Sequence, residues 1–319
     1  MNGEKILEVR GLTKKFGKRC AVNDVSFDVY EGEVFGFLGP NGAGKTTTIK
    51  MILGFLFPDA GEITICGCDL RTRFEEAMAN VGGIVENPDM FRDFSGLDNL
   101  KMYAALHGGI TRERIDEVVR TVGLENRIRD KVRKYSLGMK QRLGVAQSIL
   151  HRPKLLILDE PTNGLDPSGI RELRLLLRKM AEQEKVAVFV SSHLLAEMDM
   201  MCDRVCIIDG GVIKGEMTVE ELRYAGGSER EFVYTVTDAA LAEKVFAELG
   251  LEAAFANNSP VSTQADGGAK IAVRMDRARL AEVNAALISG GVNILTVSER
   301  AHSLEEVFMS LTGGGGSIE

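Results

Sequence analysis

The chain has 319 residues and a formal net charge of −7, with 45% hydrophobic and 27% charged residues, the make-up of an ordinary folded protein of about two domains. The acidic balance leaves no electrostatic footprint for nucleic acid, which favours a basic face, so no nucleic-acid partner is expected. No segment approaches the ~18 continuous apolar residues of a membrane span, and Met1-Asn2-Gly3-Glu4-Lys5 leads into no apolar signal core; a cytoplasmic chain is expected.

Residues Ile6 to Val9 and Ala21 to Val29 alternate as two antiparallel strands. Between them, Thr13-Lys14-Lys15-Phe16-Gly17-Lys18 reads as a polar turn. An exposed aromatic there can stack on a base, since every base offers a π-face, or pack on the strand edge; both readings stand for Phe16. Next, Val34-Phe35-Gly36-Phe37-Leu38 is a short apolar run with the character of a buried strand. It runs into Gly39-Pro40-Asn41-Gly42-Ala43-Gly44-Lys45-Thr46, which fits G-x-x-x-x-G-K-[ST], and Thr47 to Leu53 then opens a helix. In such a loop glycines let the backbone approach phosphates, and successive N–H groups form an anion nest at the helix N-terminus. Lys45 would neutralise the β- and γ-phosphates and Thr46 would offer its hydroxyl to Mg²⁺. The chemistry is that of a nucleoside triphosphate site.

Pro58-Asp59-Ala60-Gly61 reads as a turn, Glu62 to Cys66 as a strand, Phe74 to Asn80 as a helix and Val81 to Val85 as a strand ending at Glu86. From Ser95 to about Leu150 the period becomes helical, an all-helical insertion expected over about 90–150. Ser136 has the hydroxyl of a helix N-cap, and Tyr135-Ser136-Leu137-Gly138-Met139 opens a helix through Ile149. Leu155-Leu156-Ile157-Leu158 then ends in Asp159 and Glu160, a buried parallel strand with two acids at its carboxyl end. The first acid suits Mg²⁺ and the second can polarise an attacking water; the bland alternative is a solvated turn. After the turn-rich Pro161 to Pro167, a helix is expected from Gly169 to Glu184 and a strand from Val186 to Val190, running into Ser191-Ser192-His193. Arg204 to Asp209 and Val212 to Glu216 form a hairpin around Gly210-Gly211. The five cysteines lack zinc spacing with neighbouring histidines and read as small buried side chains.

Past Gly226-Gly227-Ser228 a second unit is expected, 226–319. Glu231 to Val236, Lys270 to Arg274 and Val292 to Ser298 read as strands; Asp238 to Leu249 and Arg277 to Ile288 read as helices. Ser303 to Glu306 starts a short last helix and Gly313 to Gly316 a frayed end. The pattern is a small α+β module of the ferredoxin-like kind.

Over about Ile6 to Leu222 these motifs, in this order, resemble the ATP-binding subunits of ABC transporters, and the whole chain looks like the exporter ATPases of the bacitracin-resistance and multidrug type. The resemblance implies an α/β P-loop NTPase core with an antiparallel β subdomain and a helical insertion over 1–225, plus the small C-terminal α+β domain. Gly39 to Thr46 match Walker A, Leu155 to Glu160 Walker B, Asn163-Gly164-Leu165-Asp166 the D-loop and His193 the switch histidine; Phe16 takes the place of the aromatic that stacks on adenine. Two positions depart from the family. The usual Leu-Ser-Gly-Gly-Gln signature is Tyr135-Ser136-Leu137-Gly138-Met139 here, keeping Ser136 and Gly138 for the γ-phosphate. Glu86 stands where a glutamine is usual; a carboxylate there would reach Mg²⁺ or water at the cost of added negative charge.

The implied mechanism is ATP hydrolysis with Mg²⁺ by a head-to-tail homodimer. Each ATP lies between one copy's phosphate loop and the other's Ser136 and Gly138; Glu160, His193 and Lys45 are catalytic. A separate membrane permease is the implied partner, met near Phe91 to Leu100, with the subunit peripheral on the inner face of the membrane. The rival is a soluble ABC-type ATPase acting on ribosome or DNA. That class shows two nucleotide domains in one chain or a long heptad insertion, and neither pattern occurs here.

Overall fold

The computed structural model describes residues 3–86, 88–224, 229–255 and 268–300. The expected helix at Ser303 and the end at Gly313 to Gly316 lie outside the described residues.

Strands β1 (Lys5–Phe16) and β2 (Arg19–Tyr30) make a long hairpin closed by Gly17-Lys18. Thr13 to Phe16, expected in a turn, are strand. The hairpin continues through them: Lys14, Lys15 and Phe16 pair with Val22, Cys20 and Arg19 of β2, while Thr13 pairs with Ala60 and the Lys15 N–H donates to Asp59 Oδ2 at 2.6 Å. After β3 (Val34–Leu38) come α1 (Lys45–Ile52), β4 (Ala60–Ile65), β5 (Cys68–Asp69), α2 (Phe74–Met78) and β6 (Val81–Ile84). The helical insertion holds α3 (Gly96–His107), α4 (Arg112–Thr121) and α5 (Leu137–Ile149). The core resumes with β7 (Leu155–Asp159), α6 (Pro167–Glu184), β8 (Ala187–Ser192), α7 (Leu195–Met201), β9 (Arg204–Asp209), β10 (Val212–Thr218) and α8 (Val219–Tyr224).

Helix starts follow side-chain caps. Ser95, Thr111, Ser136 and Asp166 each accept a backbone N–H three residues on, satisfying donors that no intrahelical carbonyl can reach. Asp166 with Pro167 at the first helical position starts α6 ahead of the expected Gly169. Helix α7 was not legible in the sequence: it is one short element directly behind a buried strand, with methionines on it and no capping side chain.

Two sheets make the first unit. An antiparallel sheet has the order β2-β1-β4-β5, and a six-stranded sheet the order β10-β9-β3-β8-β7-β6, parallel except for β10. Every residue of β3, β7 and β8 is buried, as expected of central parallel strands covered on both faces. Between the sheets Phe27, Phe35, Phe37 and Phe189 meet at centroid separations of 5.4 to 5.8 Å. Ile49, Met51 and Ile52 of α1 join the same core.

The chain divides into two units at Val219/Glu220, inside α8. The second unit runs β11 (Glu229–Val236), α9 (Ala239–Glu248), β12 (Ala253–Phe255), β13 (Ala269–Asp276), α10 (Leu280–Ser289), β14 (Ile294–Arg300). Its antiparallel sheet has the order β12-β13-β11-β14, the split β-α-β pattern of ferredoxin-like modules. The sequence reading lacked β12, whose three residues pair, among the described residues, with β13 alone. Asp238 caps α9 as expected. The cysteine expectation needs one correction: Cys68, Cys202 and Cys206 are buried and Cys66 is partly so, but Cys20 is exposed, because it sits at the hairpin tip, where residues 15–20 are all exposed.

Phe27 packs against three rings of the other sheet, stacked on Phe35 and tilted against Phe37 and Phe189. Replacing Phe27 with Ala is expected to cost about 3–5 kcal/mol, read as a lower denaturant midpoint for the first unit.

Candidate active site

Parallel register brings distant residues to one level. In β3 and β8 Leu38 pairs with Ser192, and in β7 and β8 Asp159 pairs with Ser191. The phosphate loop, the two acids and His193 therefore leave the same, carboxyl edge of the sheet, where open α/β folds place ligands. The Gly39 N–H donates to Ser192 O at 3.2 Å and ties the loop's base to that edge.

Gly44 is the N-cap of α1 at φ +109°, and a Cβ there would lie 2.6 Å from Ala21 O. Only glycine takes both that backbone and that approach, and it aims the first N–H groups of α1 into the loop. The resulting cleft, about 400 Å³, is lined by Phe16, Arg19, Ala21, Asn41, Gly42, Gly44, Lys45, Thr46, Thr47, Glu160 and Asn163. Gly39, Pro40 and Ala43 form its frame: the Lys45 ammonium donates to Gly39 O at 2.6 Å and Pro40 O at 3.3 Å, and the Ala43 N–H to Pro40 O at 3.1 Å. Phe16, half exposed at the strand end, lines the same cleft.

Lys45 is 5% exposed, and its Nζ lies 3.1 Å from Glu160 Oε1. Glu160 Oε2 lies 2.8 Å from His193 Nδ1. An ionised carboxylate only accepts, so the ring proton sits on Nδ1. Glu160 thus stands between a cation and an imidazole. Its backbone is at φ +50°, a left-handed conformation that a glutamate holds only under tertiary constraint. That constraint is Ser191: the Glu160 N–H donates to Ser191 Oγ at 3.0 Å, and Ser191 Oγ donates to Asp159 Oδ1 at 2.6 Å. Asp159 is 2% exposed.

Ser191 and Arg19 are site residues that the sequence reading missed. Ser191 was visible as one of two hydroxyl residues before His193 at a buried strand end. Arg19 faces Phe16 across the hairpin turn, a pairing that depends on how far the strands extend.

Asp159 and His193 do not line the cleft but reach it through Ser191 and Glu160, whereas Glu86, Ser136 and Gly138 stand apart from it. Ser136 is exposed and its hydroxyl caps α5, accepting from the Met139 N–H at 3.2 Å. Tyr135 anchors this loop through its phenol, which donates to Arg127 O at 2.8 Å, and burial pushes that phenol up to about 12. Gly138 faces Leu165: a Cβ on it would lie 3.8 Å from Leu165 Cδ2. Glu86, at φ +62°, turns an exposed carboxylate to Lys50 Nζ at 3.3 Å instead of toward Thr46 or Asp159.

A phosphate loop after β3, two acids at the end of β7 and a hydroxyl and histidine at the end of β8, which lies between them, define a P-loop nucleoside-triphosphatase. The family model described as ABC transporter matches residues 22–163. An uncharacterized ABC transporter ATP-binding protein, YdbJ, of Bacillus subtilis (strain 168) is 44% identical over 97% of this chain and 96% of its own length. The bacitracin transport ATP-binding protein BcrA of Bacillus licheniformis is 37% identical over 97% of this chain and 98% of its own. A solved structure of an ATP binding subunit of an ABC transporter superposes with TM-score 0.62 at 30% identity, over 70% of this chain and 93% of that one. The chain belongs to the ATP-binding subunits of ABC transporters, and its activity is ATP hydrolysis.

The altered signature has a local consequence. Gly164, at φ +74°, leaves room for Leu137: a Cβ there would lie 3.0 Å from Leu137 Cδ2. Gly164→Ala is expected to destabilise by about 1–2 kcal/mol through the left-handed backbone alone, plus the clash. Adding Leu137→Ala should recover the clash part only, as measured by thermal unfolding of the three variants.

Proposed function

We propose that this subunit energises a separate membrane permease exporting a drug, antibiotic peptide or lipid-like cargo, from the inner face of the membrane. End-to-end similarity to a bacitracin transport ATP-binding protein supports the cargo class. Exposed Phe91 and Phe94, whose rings meet edge to face at 6.0 Å, support a docking face for the permease at the start of the helical insertion. Among the described residues no helix is long and apolar enough to cross a membrane. The ribosome- or DNA-directed alternative is less well supported, since the insertion consists of short helices of 12, 10 and 13 residues without a long heptad arm.

The observation that carries the mechanism is the chain of contacts Lys45–Glu160–His193. Glu160 orients or deprotonates the attacking water, His193 holds the γ-phosphate, and Lys45 stabilises transferred charge. Phe16 stacks on adenine, and Gly39 to Thr47 cradle the phosphates. Thr46 and Asp159 offer a hydroxyl and a carboxylate, the hard oxygen donors Mg²⁺ takes alongside substrate phosphates; the ion supplies neutralisation of phosphate charge. Glu86 would join them only by leaving Lys50. Ser136 and Gly138, which lie outside the cleft of their own chain, complete the site of a second copy arranged head to tail.

Glu160→Gln is expected to lower turnover by roughly 10²–10⁴-fold while keeping ATP affinity, and to accumulate an ATP-bound dimer in sedimentation. A monomer at saturating Mg·ATP would contradict the sandwich. Tagged protein recovered from detergent-solubilised native membranes should carry a polytopic membrane protein; recovery of ribosomal or DNA-bound partners alone would move the assignment to the alternative.

A further inference from the structure

One buried acid has no part in the chemistry above. Glu197, in the first turn of α7, is 7% exposed. Its Oε2 accepts two hydroxyl hydrogen bonds, from Thr162 Oγ1 at 2.6 Å and from Ser192 Oγ at 2.8 Å. Thr162 follows Glu160 by two residues and Ser192 directly precedes His193; both are buried, at 3% and 0% exposure. A single carboxylate oxygen thus ties the loop leaving Glu160 to the loop carrying His193. The same Ser192 hydroxyl accepts the Leu194 N–H at 3.0 Å, so His193 is held on both sides.

Burying a carboxylate is costly, and neither serine nor threonine needs an ionised partner. What the charge adds is strength and direction, since hydrogen bonds to an ion are shorter and about twice as strong as neutral ones. The Glu160–His193 contact of 2.8 Å spans two separate loops. Its length is set by their spacing, and a shift of about 1 Å in such a pair can cost ~10²-fold in rate.

We propose that Glu197 is a positioning residue for ATP hydrolysis, which holds Thr162 and Ser192 on one oxygen and so makes the Glu160 and His193 loops move as one body. Displacement of His193 is thereby passed to the Asn163–Asp166 loop. This rests on the reading of Glu160 and His193 as the hydrolytic pair.

The test compares Glu197→Ala, Glu197→Gln, His193→Ala and the double variant Glu197→Ala/His193→Ala, by steady-state turnover and direct ATP binding. Glu197→Ala is expected to lower kcat roughly 10- to 100-fold, with KM and ATP affinity within about twofold. Glu197→Gln, whose amide oxygen accepts both hydroxyls, should recover most of that turnover. With His193 already removed, Glu197→Ala should cost less than about twofold more, because the spacing it maintains no longer matters. Near-normal turnover in Glu197→Ala overturns the proposal. So does equal damage from Glu197→Gln, a matching loss of ATP affinity, or full additivity with His193→Ala. If Glu197→Ala does not fold, Thr162→Val removes one donor at constant volume and should reproduce the kcat loss with KM unchanged; unchanged kcat in that variant overturns the proposal equally. Glu160→Gln run in parallel separates the two readings: retained turnover there defeats the hydrolytic assignment, whereas an inactive Glu160→Gln beside an active Glu197→Ala defeats only the clamp.

Discussion

The parallel register of β3, β7 and β8 aligns the ends of three strands that the chain makes far apart, with Leu38 level with Ser192 and Ser191 level with Asp159. Parallel pairing requires both faces to be covered, and here the strands are buried throughout. The phenylalanine cluster on one face, with Phe27 reaching across from the other sheet, locks that register. A one-residue slip would turn the ring face away from its partners and move Ser191 off Asp159. Packing far from the cleft therefore decides the spacing of the chemistry in it.

On that edge the electrostatics are tightly paired. Lys45, almost fully buried, is met by two loop carbonyls and by Glu160. Unpaired, a buried ammonium would be strongly disfavoured. Glu160 can hold its place despite a left-handed backbone because Ser191 anchors its N–H, and Ser191 is in turn anchored on Asp159. Ser191, which looks like a spacer before His193, thus orients both acids at the end of the strand beside it.

The departures from the family pattern are resolved locally. Leu137, in place of a glycine, lies against Gly164, where the absent Cβ gives it room. The larger side chain and the smaller one are complementary, and the altered signature keeps its cap through Ser136. Glu86 finds a cation, Lys50, on the last turn of α1. Both changes are absorbed by neighbours within the same chain.

Much of this was readable from the residues in order. Gly39 to Thr46 specify their own loop because glycine spacing and helix start are local properties, and the continuous apolar runs ending in Asp159 and Ser192 announce buried strands with polar ends. Caps such as Ser136 and Asp238 act over three residues, so they too show in the sequence. Only the folded hairpin shows that Thr13 to Phe16 are strand: Lys14, Lys15 and Phe16 pair with Val22, Cys20 and Arg19 of β2, and Thr13 with Ala60 of β4. Tertiary structure alone also decided that Arg19 lines the cleft with Phe16 and that Glu86 faces Lys50. The same holds for Glu197, whose two hydroxyl partners come from two different loops. Local motifs carry their chemistry in residue type and spacing. Contacts between segments depend on register and packing, which no stretch of sequence holds by itself.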